Sequence, residues 1–408
     1  MVRVVLSSQR HVSLTPLLIG VFSLIALTGC GGGGGSQGSH TPPPAPLVLA
    51  YPTNTDTANP ANLANNIWTI DANGTNATEL TSYQGNDNVT AQSLQPIWSP
   101  NGSQIAYVSD GAFDGSDNLA QYYYFWIMNA DGSGKTPLSN VGPAAYNIVG
   151  NAIDWSHDGS KLAVAAAPGN EVELFVMNPD GSNPTLVTAP ALGPVWSPDD
   201  TQLAFEGSNN DIWTVGVNGS GLTALTNVGV NQAAVAPVWS PDGTMIAFSI
   251  ENLQFGGFTI QTMNANGTNL QSYPGSSYFY SHMVGRVVNW SPDGSKLVFT
   301  STAALDGNPN EPDVDSLNIW VMNADGSGRQ PLTQYTADSV AMYVPTWSPD
   351  GSTIAFLSSA PLDGSDEPSQ GTWCVWTVSA SGDNLAPLSA LANGTGWNTY
   401  WLQPAWQP

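Results

Sequence analysis

The chain has 408 residues, which is enough for one to three domains. Seven Lys and Arg stand against 31 Asp and Glu, a formal net charge of −24. This charge excludes an ordinary nucleic-acid surface and docking to an anionic membrane face, because both need clustered basic residues. With 41% hydrophobic residues, 42 Gly and 31 Pro, the composition predicts a folded chain of many short strands joined by tight turns.

The N-terminal residues predict an export signal. Arg3 and Arg10 precede an apolar run from Leu17 to Leu27, which is short for a bilayer-spanning helix but suits the core of a signal peptide. The run ends in Leu27-Thr28-Gly29-Cys30, which resembles the lipobox of bacterial lipoproteins. The resemblance implies that residues 1–29 are a lipoprotein signal peptide and that Cys30 is lipidated. The alternative is an ordinary signal peptide followed by an incidental cysteine.

The segment after the cysteine, residues 30–45, is rich in Gly and Pro and predicts a tether. Gly31 stands where an Asp would retain a lipoprotein at the inner membrane, so the resemblance to Gram-negative sorting implies the outer membrane. Cys374 is the one cysteine beyond Cys30 in the sequence, which excludes a disulfide within the mature chain. Its apolar surroundings predict a buried, unreactive thiol.

Two short units recur through the rest of the sequence. The first is W-S-P-D-G, intact at Trp239, Trp290 and Trp347, with variants at Trp98, Trp155 and Trp196. The second is I-W-x-M-N-A-D-G, best seen from Ile319 to Gly326, and its six relatives begin at Ile67, Phe125, Leu174, Ile212, Ile260 and Val375. Ser-Pro-Asp-Gly in the first unit and Asn-Ala-Asp-Gly in the second have the residues that reversing turns need, and apolar runs lie between them. Four strands per repeat match one blade of a β-propeller.

The two ends of the repeat region predict how the ring closes. Residues 46–51 resemble a second strand that lacks its first strand, and residues 404–408 resemble that missing first strand. We therefore expect an all-β, seven-bladed propeller over residues 46–408, made of four-stranded antiparallel blades. The C-terminal strand should join the N-terminal blade and leave no free sheet edge. A six-bladed ring is the alternative.

The paired WSPDG and IWVMNADG units resemble the TolB-type propeller repeat of bacterial envelope proteins. The resemblance covers nearly all of residues 46–408 and implies the propeller fold. The chain before residue 46 is too short for the α/β domain that precedes the propeller in TolB. The resemblance is therefore more informative about fold than about function.

Three loops between second and third strands predict a possible cation site. They contain the acids Asp110, Asp114 and Asp117, then Asp306, Glu311, Asp313 and Asp315, and then Asp363, Asp366 and Glu367. Oxygen ligands spaced along Gly-containing loops suit Ca²⁺, with Asp110, Asp114, Asp117, Asp306, Asp313, Asp315, Asp363 and Asp366 as the candidate ligands. The alternative is that these loops are simply solvated.

The same side of the predicted ring carries the candidate binding residues. They are Tyr278, Phe279, Tyr280, His282, Arg286, Tyr335, Tyr343, Trp397, Tyr400 and Trp401. Clustered Tyr and Trp are typical of interfaces and of surfaces that stack on sugars. The alternative is that several of them pack the ends of the blades.

The sequence predicts a noncatalytic scaffold that binds an envelope protein or a glycan and touches the membrane through its N-terminal lipid alone. It contains no G-x-S-x-G, H-E-x-x-H or phosphate-loop motif. His157 replaces the Pro of a W-S-P-D-G turn, which favours an exposed turn residue over a catalytic one. The alternative function is a metal-dependent, lyase-like enzyme acting on acidic glycans, with His282, Tyr280 and Arg286 as its possible groups.

Overall fold

The computed structural model of the protein describes residues 47–53, 65–82, 92–111, 119–138, 141–142, 152–169, 171–254, 257–273, 288–303, 305, 316–336, 340, 342–361, 374–388 and 404–408. These residues form seven four-stranded antiparallel sheets, each of which is one blade of a ring. The predicted seven-bladed, all-β propeller is confirmed. In the described residues no helix is both long enough and apolar enough to cross a membrane.

The strands follow one plan in every blade. Blade 1 contains β28 (Ala405–Trp406), β1 (Val48–Thr53), β2 (Asn66–Asp71) and β3 (Thr78–Glu79). Blades 2 and 3 contain β4 (Ser93–Trp98), β5 (Gln104–Gly111), β6 (Leu119–Asn129), β7 (Thr136–Pro137), β8 (Ile153–Trp155), β9 (Leu162–Ala166), β10 (Glu173–Met177) and β11 (Thr185–Thr188). Blades 4 and 5 contain β12 (Leu192–Trp196), β13 (Gln202–Glu206), β14 (Ile212–Gly216), β15 (Thr223–Ala224), β16 (Gln232–Trp239), β17 (Met245–Asn252), β18 (Phe258–Asn264) and β19 (Gln271–Tyr273).

The last two blades complete the ring. Blades 6 and 7 contain β20 (Val288–Trp290), β21 (Lys296–Ser301), β22 (Asn318–Asn323), β23 (Gln330–Pro331), β24 (Met342–Trp347), β25 (Thr353–Ser358), β26 (Cys374–Ser379) and β27 (Ala386–Pro387). A 3-10 turn over Ser208–Asn210 connects β13 to β14.

The middle strands are apolar on both sides because each blade lies between two neighbours. All five residues of β9 are buried, as are residues 318–322 of β22. Trp320 and Trp376 are among the largest fully or almost fully buried side chains. Burying one large apolar side chain contributes about 1.5–3 kcal/mol, so the packing between blades dominates the stability of the ring.

The W-S-P-D-G unit forms a turn that is held by its own side chains. Ser291 Oγ donates to Asp293 Oδ1 (2.6 Å) and accepts the Lys296 N–H (2.9 Å). Asp293 Oδ1 also accepts the Ser295 N–H (3.0 Å), while Gly294 takes a φ of +70° that favours glycine. These hydrogen bonds, first of all the one from Ser291, lower the pKa of Asp293 to about 2.

The Trp at this position of the repeat connects five of the seven blades to the blade before them. The indole Nε1 atoms of Trp98, Trp155, Trp196, Trp290 and Trp406 donate to the carbonyl oxygens of Ala405, Ile97, Asp154, Val238 and Thr346, respectively, at 3.1–3.3 Å. All of these acceptors lie in the innermost strand of the preceding blade. The repeated Trp is thus a hydrogen-bonded junction residue as well as a core residue.

The C-terminal strand closes the ring as predicted. β28 pairs antiparallel with β1, with Leu49 opposite Trp406. The Gln407 N–H donates to Val48 O (2.8 Å), and the Gln407 side chain donates to Gly102 O of blade 2 (3.0 Å). Blade 1 is therefore built from both ends of the propeller.

Candidate functional site

The ring has two unlike faces. The turns from first to second strand and from third to fourth strand lie on one face, which we call the turn face. The connections from second to third strand and from each blade to the next lie on the other, which we call the loop face. On the turn face β4 and β5 are joined across 99–103, whereas on the loop face β21 and β22 are joined across 302–317 and β25 and β26 across 359–373.

Charge is distributed unevenly between the faces. The four Lys and Arg of the described residues all lie at turn-face turns, and they are Lys135, Lys161, Lys296 and Arg329. The described strand ends on the loop face carry acids, namely Asp110, Glu171, Glu173, Glu206, Asp211 and Glu251. The Asp residues of the repeated turns, such as Asp293 and Asp325, lie on the turn face, so both faces carry acids and in the described residues the bases alone are confined to one face.

Asp110, a predicted Ca²⁺ ligand, lies at the loop-face end of β5. Its carboxylate accepts the Gln92 N–H, and burial raises its pKa to about 6. Hydrogen bonds from the Gln92 backbone and the Tyr123 side chain partly offset that rise. Asp110 thus already has protein partners, and within the described residues no three His, Cys, Asp or Glu side chains gather as a metal site.

Tyr335 and Tyr343 are the two predicted binding aromatics that fall in described segments. Tyr335 is 4% exposed and packs in the core between blades 6 and 7, where its N–H donates to Asn318 Oδ1 (2.9 Å). Tyr343 is half-buried in β24 and packs on the core near Leu357. The structure places both rings in packing positions at the ends of the blades.

The other predicted site residues lie outside the described residues. They are Cys30, Asp114, Asp117, Tyr278, Phe279, Tyr280, His282, Arg286, Asp306, Asp313, Asp315, Asp363, Asp366, Trp397, Tyr400 and Trp401. The Ca²⁺ site, the aromatic surface and the lyase-like alternative therefore stay predictions. Cys374 is buried as predicted, and burial raises the pKa of its thiol to about 11.

A buried carboxyl group that the repeat analysis missed lies at the loop-face end of β13. Glu206 is 8% exposed, and its Oε1 accepts the N–H of Ala236 (2.7 Å) from the innermost strand of the next blade. Burial raises its pKa to about 8, the Ala236 N–H opposes that rise, and nearby Glu251 adds to it. Ser249 and Thr300 take the same register position in the next two blades. The signal in the sequence is an acid that directly follows the apolar run Leu203-Ala204-Phe205 of β13.

Two departures from the W-S-P-D-G unit meet on the turn face. His157 stands in the Pro position of blade 3, and Asp200 stands in the Gly position of blade 4. Asp200 Oδ1 accepts the His157 N–H (2.7 Å), and its Oδ2 accepts the Asp158 N–H (2.9 Å). His157 Nδ1 also lies 3.1 Å from Asp200 Oδ1. His157 is 52% exposed, as expected for a turn residue.

Comparison with known proteins gives the same fold. Residues 88–278 match the sequence family described as PD40, TolB beta propeller domain. This match supports a TolB-like β-propeller. An uncharacterized protein of Agrobacterium fabrum is 25% identical over 278 residues, which cover 66% of this chain and 85% of that protein.

Two further relatives extend the comparison with the TolB-like propeller. The Tol-Pal system protein TolB of Rhizorhabdus wittichii is 32% identical over 91 residues, or 22% of this chain and 17% of that protein. The solved structure of a periplasmic gluconolactonase from Pseudomonas aeruginosa covers 89% of this chain and 99% of its own, with a TM-score of 0.54 and 12% identity. At that identity the second likeness concerns the fold alone.

Proposed function

We propose that the TolB-like propeller is a noncatalytic scaffold of the bacterial envelope that binds a protein or a glycan on its loop face. The observation that carries the proposal is the unlike connectivity of the two faces. Short, self-bonded turns repeat around the turn face, whereas the long, unrepeated connections 302–317 and 359–373 start and end on the loop face. Binding residues concentrate in such connections when a rigid scaffold positions them.

The charge of the loop face supports a selective surface. In its described part the loop face carries acids such as exposed Glu171 and no Lys or Arg, whereas Asp110 and Glu206 are largely buried and burial raises the pKa of Glu206 to about 8, so Glu206 adds little charge at neutral pH. Arg286, in the undescribed connection before β20, is the one base that the sequence adds to this face. A partner with basic or neutral polar groups is favoured over a polyanion.

Lipidation at Cys30 would hold this scaffold at the outer membrane. The support is the lipobox-like Leu27-Thr28-Gly29-Cys30, and similarity to a protein named for the Tol-Pal system favours the envelope. A Cys30→Ala variant should move from the membrane fraction to the soluble fraction, while Cys374→Ala, which changes a buried thiol, should not. Retention of Cys30→Ala in the membrane would contradict the lipid anchor.

Site-specific photo-crosslinking in native envelopes tests the binding face. A photoreactive residue at exposed Gln254 or Glu171, on the loop face, should capture a partner or a glycan. The same residue at exposed Ser295 or Ser352, on the turn face, is the matched control. Equal capture from both faces, or capture from the turn face alone, would refute the proposed surface.

A further inference from the structure

A groove opens on the turn face between blades 4 and 5. Its volume is about 590 Å³, and its walls include Asp199, Thr214 and Thr223 of blade 4 and Trp239, Asp242 and Asn266 of blade 5. Pro198 of blade 4 and Gly243 of blade 5 also line the groove, and they pack against each other, because a Cβ at Gly243 would lie 3.6 Å from Pro198 Cδ. The junction is therefore a bounded groove between packed blades.

Trp239 distinguishes this junction from the others. The other six Trp residues at the same position of the repeat are 3–7% exposed, whereas Trp239 is half-buried. Five of those six donate their indole N–H across the junction, whereas the Nε1 atoms of Trp239 and Trp347 are shielded from solvent and have no hydrogen-bond partner, so it is the exposure of its ring that sets Trp239 apart. Trp239 therefore offers the groove a partly exposed aromatic surface.

The walls of the groove are anionic. Hydrogen bonds lower the pKa of Asp199, first of all from Ser197, and the pKa of Asp242, first of all from Ser240, so both are ionised at neutral pH. The three hydrogen bonds that Asp199 accepts from Ser197 and Thr201 all go to Oδ1. The lining residues include no Lys, Arg or His.

We propose that this groove binds the guanidinium group of an arginine side chain that belongs to a peptide segment of a partner. The two carboxylates match its charge, and a planar guanidinium stacks on an indole. The polar side chains of Thr214, Thr223 and Asn266 on the same walls can hydrogen-bond a peptide backbone, which favours a peptide over the free amino acid. This site lies on the face opposite to the proposed scaffold surface and does not depend on it.

Isothermal titration with the peptide Gly-Arg-Gly amide tests the proposal. The Asp199→Asn/Asp242→Asn double variant should weaken binding by about tenfold, because two charge-assisted contacts are lost at a partly exposed site. Trp239→Leu should weaken it by about threefold through the lost cation–π contact. Asp293→Asn and Trp290→Leu make the corresponding carboxylate and indole changes at a junction outside the groove and should leave the affinity unchanged.

Three results would overturn the proposal. The first is equal binding of a peptide with citrulline, the neutral analogue, in place of arginine, since it would exclude recognition of the charge. The second is equal weakening by Asp293→Asn, which would indicate a general field effect. The third is equal binding of arginine amide, which would contradict the assignment to a peptide. Each result leaves the loop-face crosslinking experiment unaffected, so the two proposals fail independently.

Discussion

We expect substitutions of His157 and Asp200 to have coupled effects on the free energy of unfolding. At the neighbouring junction a glycine meets a proline instead, with a Cβ at Gly243 only 3.6 Å from Pro198 Cδ. Asp200 has a φ of +57°, so Asp200→Gly removes two charge-assisted hydrogen bonds but also relieves backbone strain. At this partly exposed site we take the lost bonds as about 2 kcal/mol and the relief as about 1 kcal/mol, which leaves a loss of about 1 kcal/mol.

His157→Pro removes the N–H that Asp200 accepts and brings the proline ring against the carboxylate. We expect it to cost about 1–2 kcal/mol, because one carboxylate oxygen loses its donor and the lower entropy of the unfolded chain offsets that loss only in part. The double variant recreates the proline–glycine contact of the other turns and should lie within about 0.5 kcal/mol of the parent. The coupling energy should therefore be about 2–3 kcal/mol in favour of the matched pairs, His–Asp or Pro–Gly, over the two mixed pairs.

Urea unfolding of the four proteins, followed by tryptophan fluorescence, measures this coupling. The slope with urea should stay the same, so that the shift of the midpoint reports stability alone. His157→Ala, which keeps the backbone N–H, is the control and should change stability less than His157→Pro. Additive losses in the double variant would refute the reasoning, because they would show that the two residues act separately.

Two other predictions concern single positions. Gly326→Ala should lower stability by about 2–4 kcal/mol in the same urea assay, because its Cβ would lie 2.1 Å from Tyr273 Cε1 and the residue has a φ of +82°. Gly221→Ala is the control, since Gly221 has a φ of +68° but its Cβ would have no atom within 4 Å. It should cost only the backbone strain of about 1–2 kcal/mol. Glu206 has a folded pKa of about 8 against an ordinary 4.5, so the protein should lose stability as the pH rises from about 4.5 through 8. Glu206→Gln should remove that part of the loss in thermal melts from pH 5 to pH 9, and an unchanged pH profile would show that Glu206 ionises freely in the fold.

Most of the fold could be predicted because its determinants are local and repeated. The turns depend on Ser, Asp and Gly within a few residues, as at Ser291, Asp293 and Gly294, and seven copies of the strand unit set the number of blades. The closure by residues 404–408 also followed from the sequence, because each end lacked the strand that the other supplied.

The sites were harder to predict because they depend on contacts between blades. Tyr335 looked like a surface aromatic in a loop, but its ring is buried between blades 6 and 7. In the sequence Glu206 is one of 31 acids. Its buried position depends on the hydrogen bond from the backbone N–H of Ala236, which lies in the next blade. A strand pattern does not show which neighbouring backbone a side chain will meet.

By itself the sequence determined the blade, the number of blades and the turn chemistry, since these rest on short-range hydrogen bonds and on apolar periodicity. Only the tertiary structure decided how junctions with the same sequence differ. Trp239 and Trp290 stand in identical W-S-P-D-G units, yet Trp290 donates to Val238 O while Trp239 has no acceptor and lines a groove. The physical reason is that an indole's partner belongs to the adjacent blade, and the fit between two blades is set by all the side chains that pack between them.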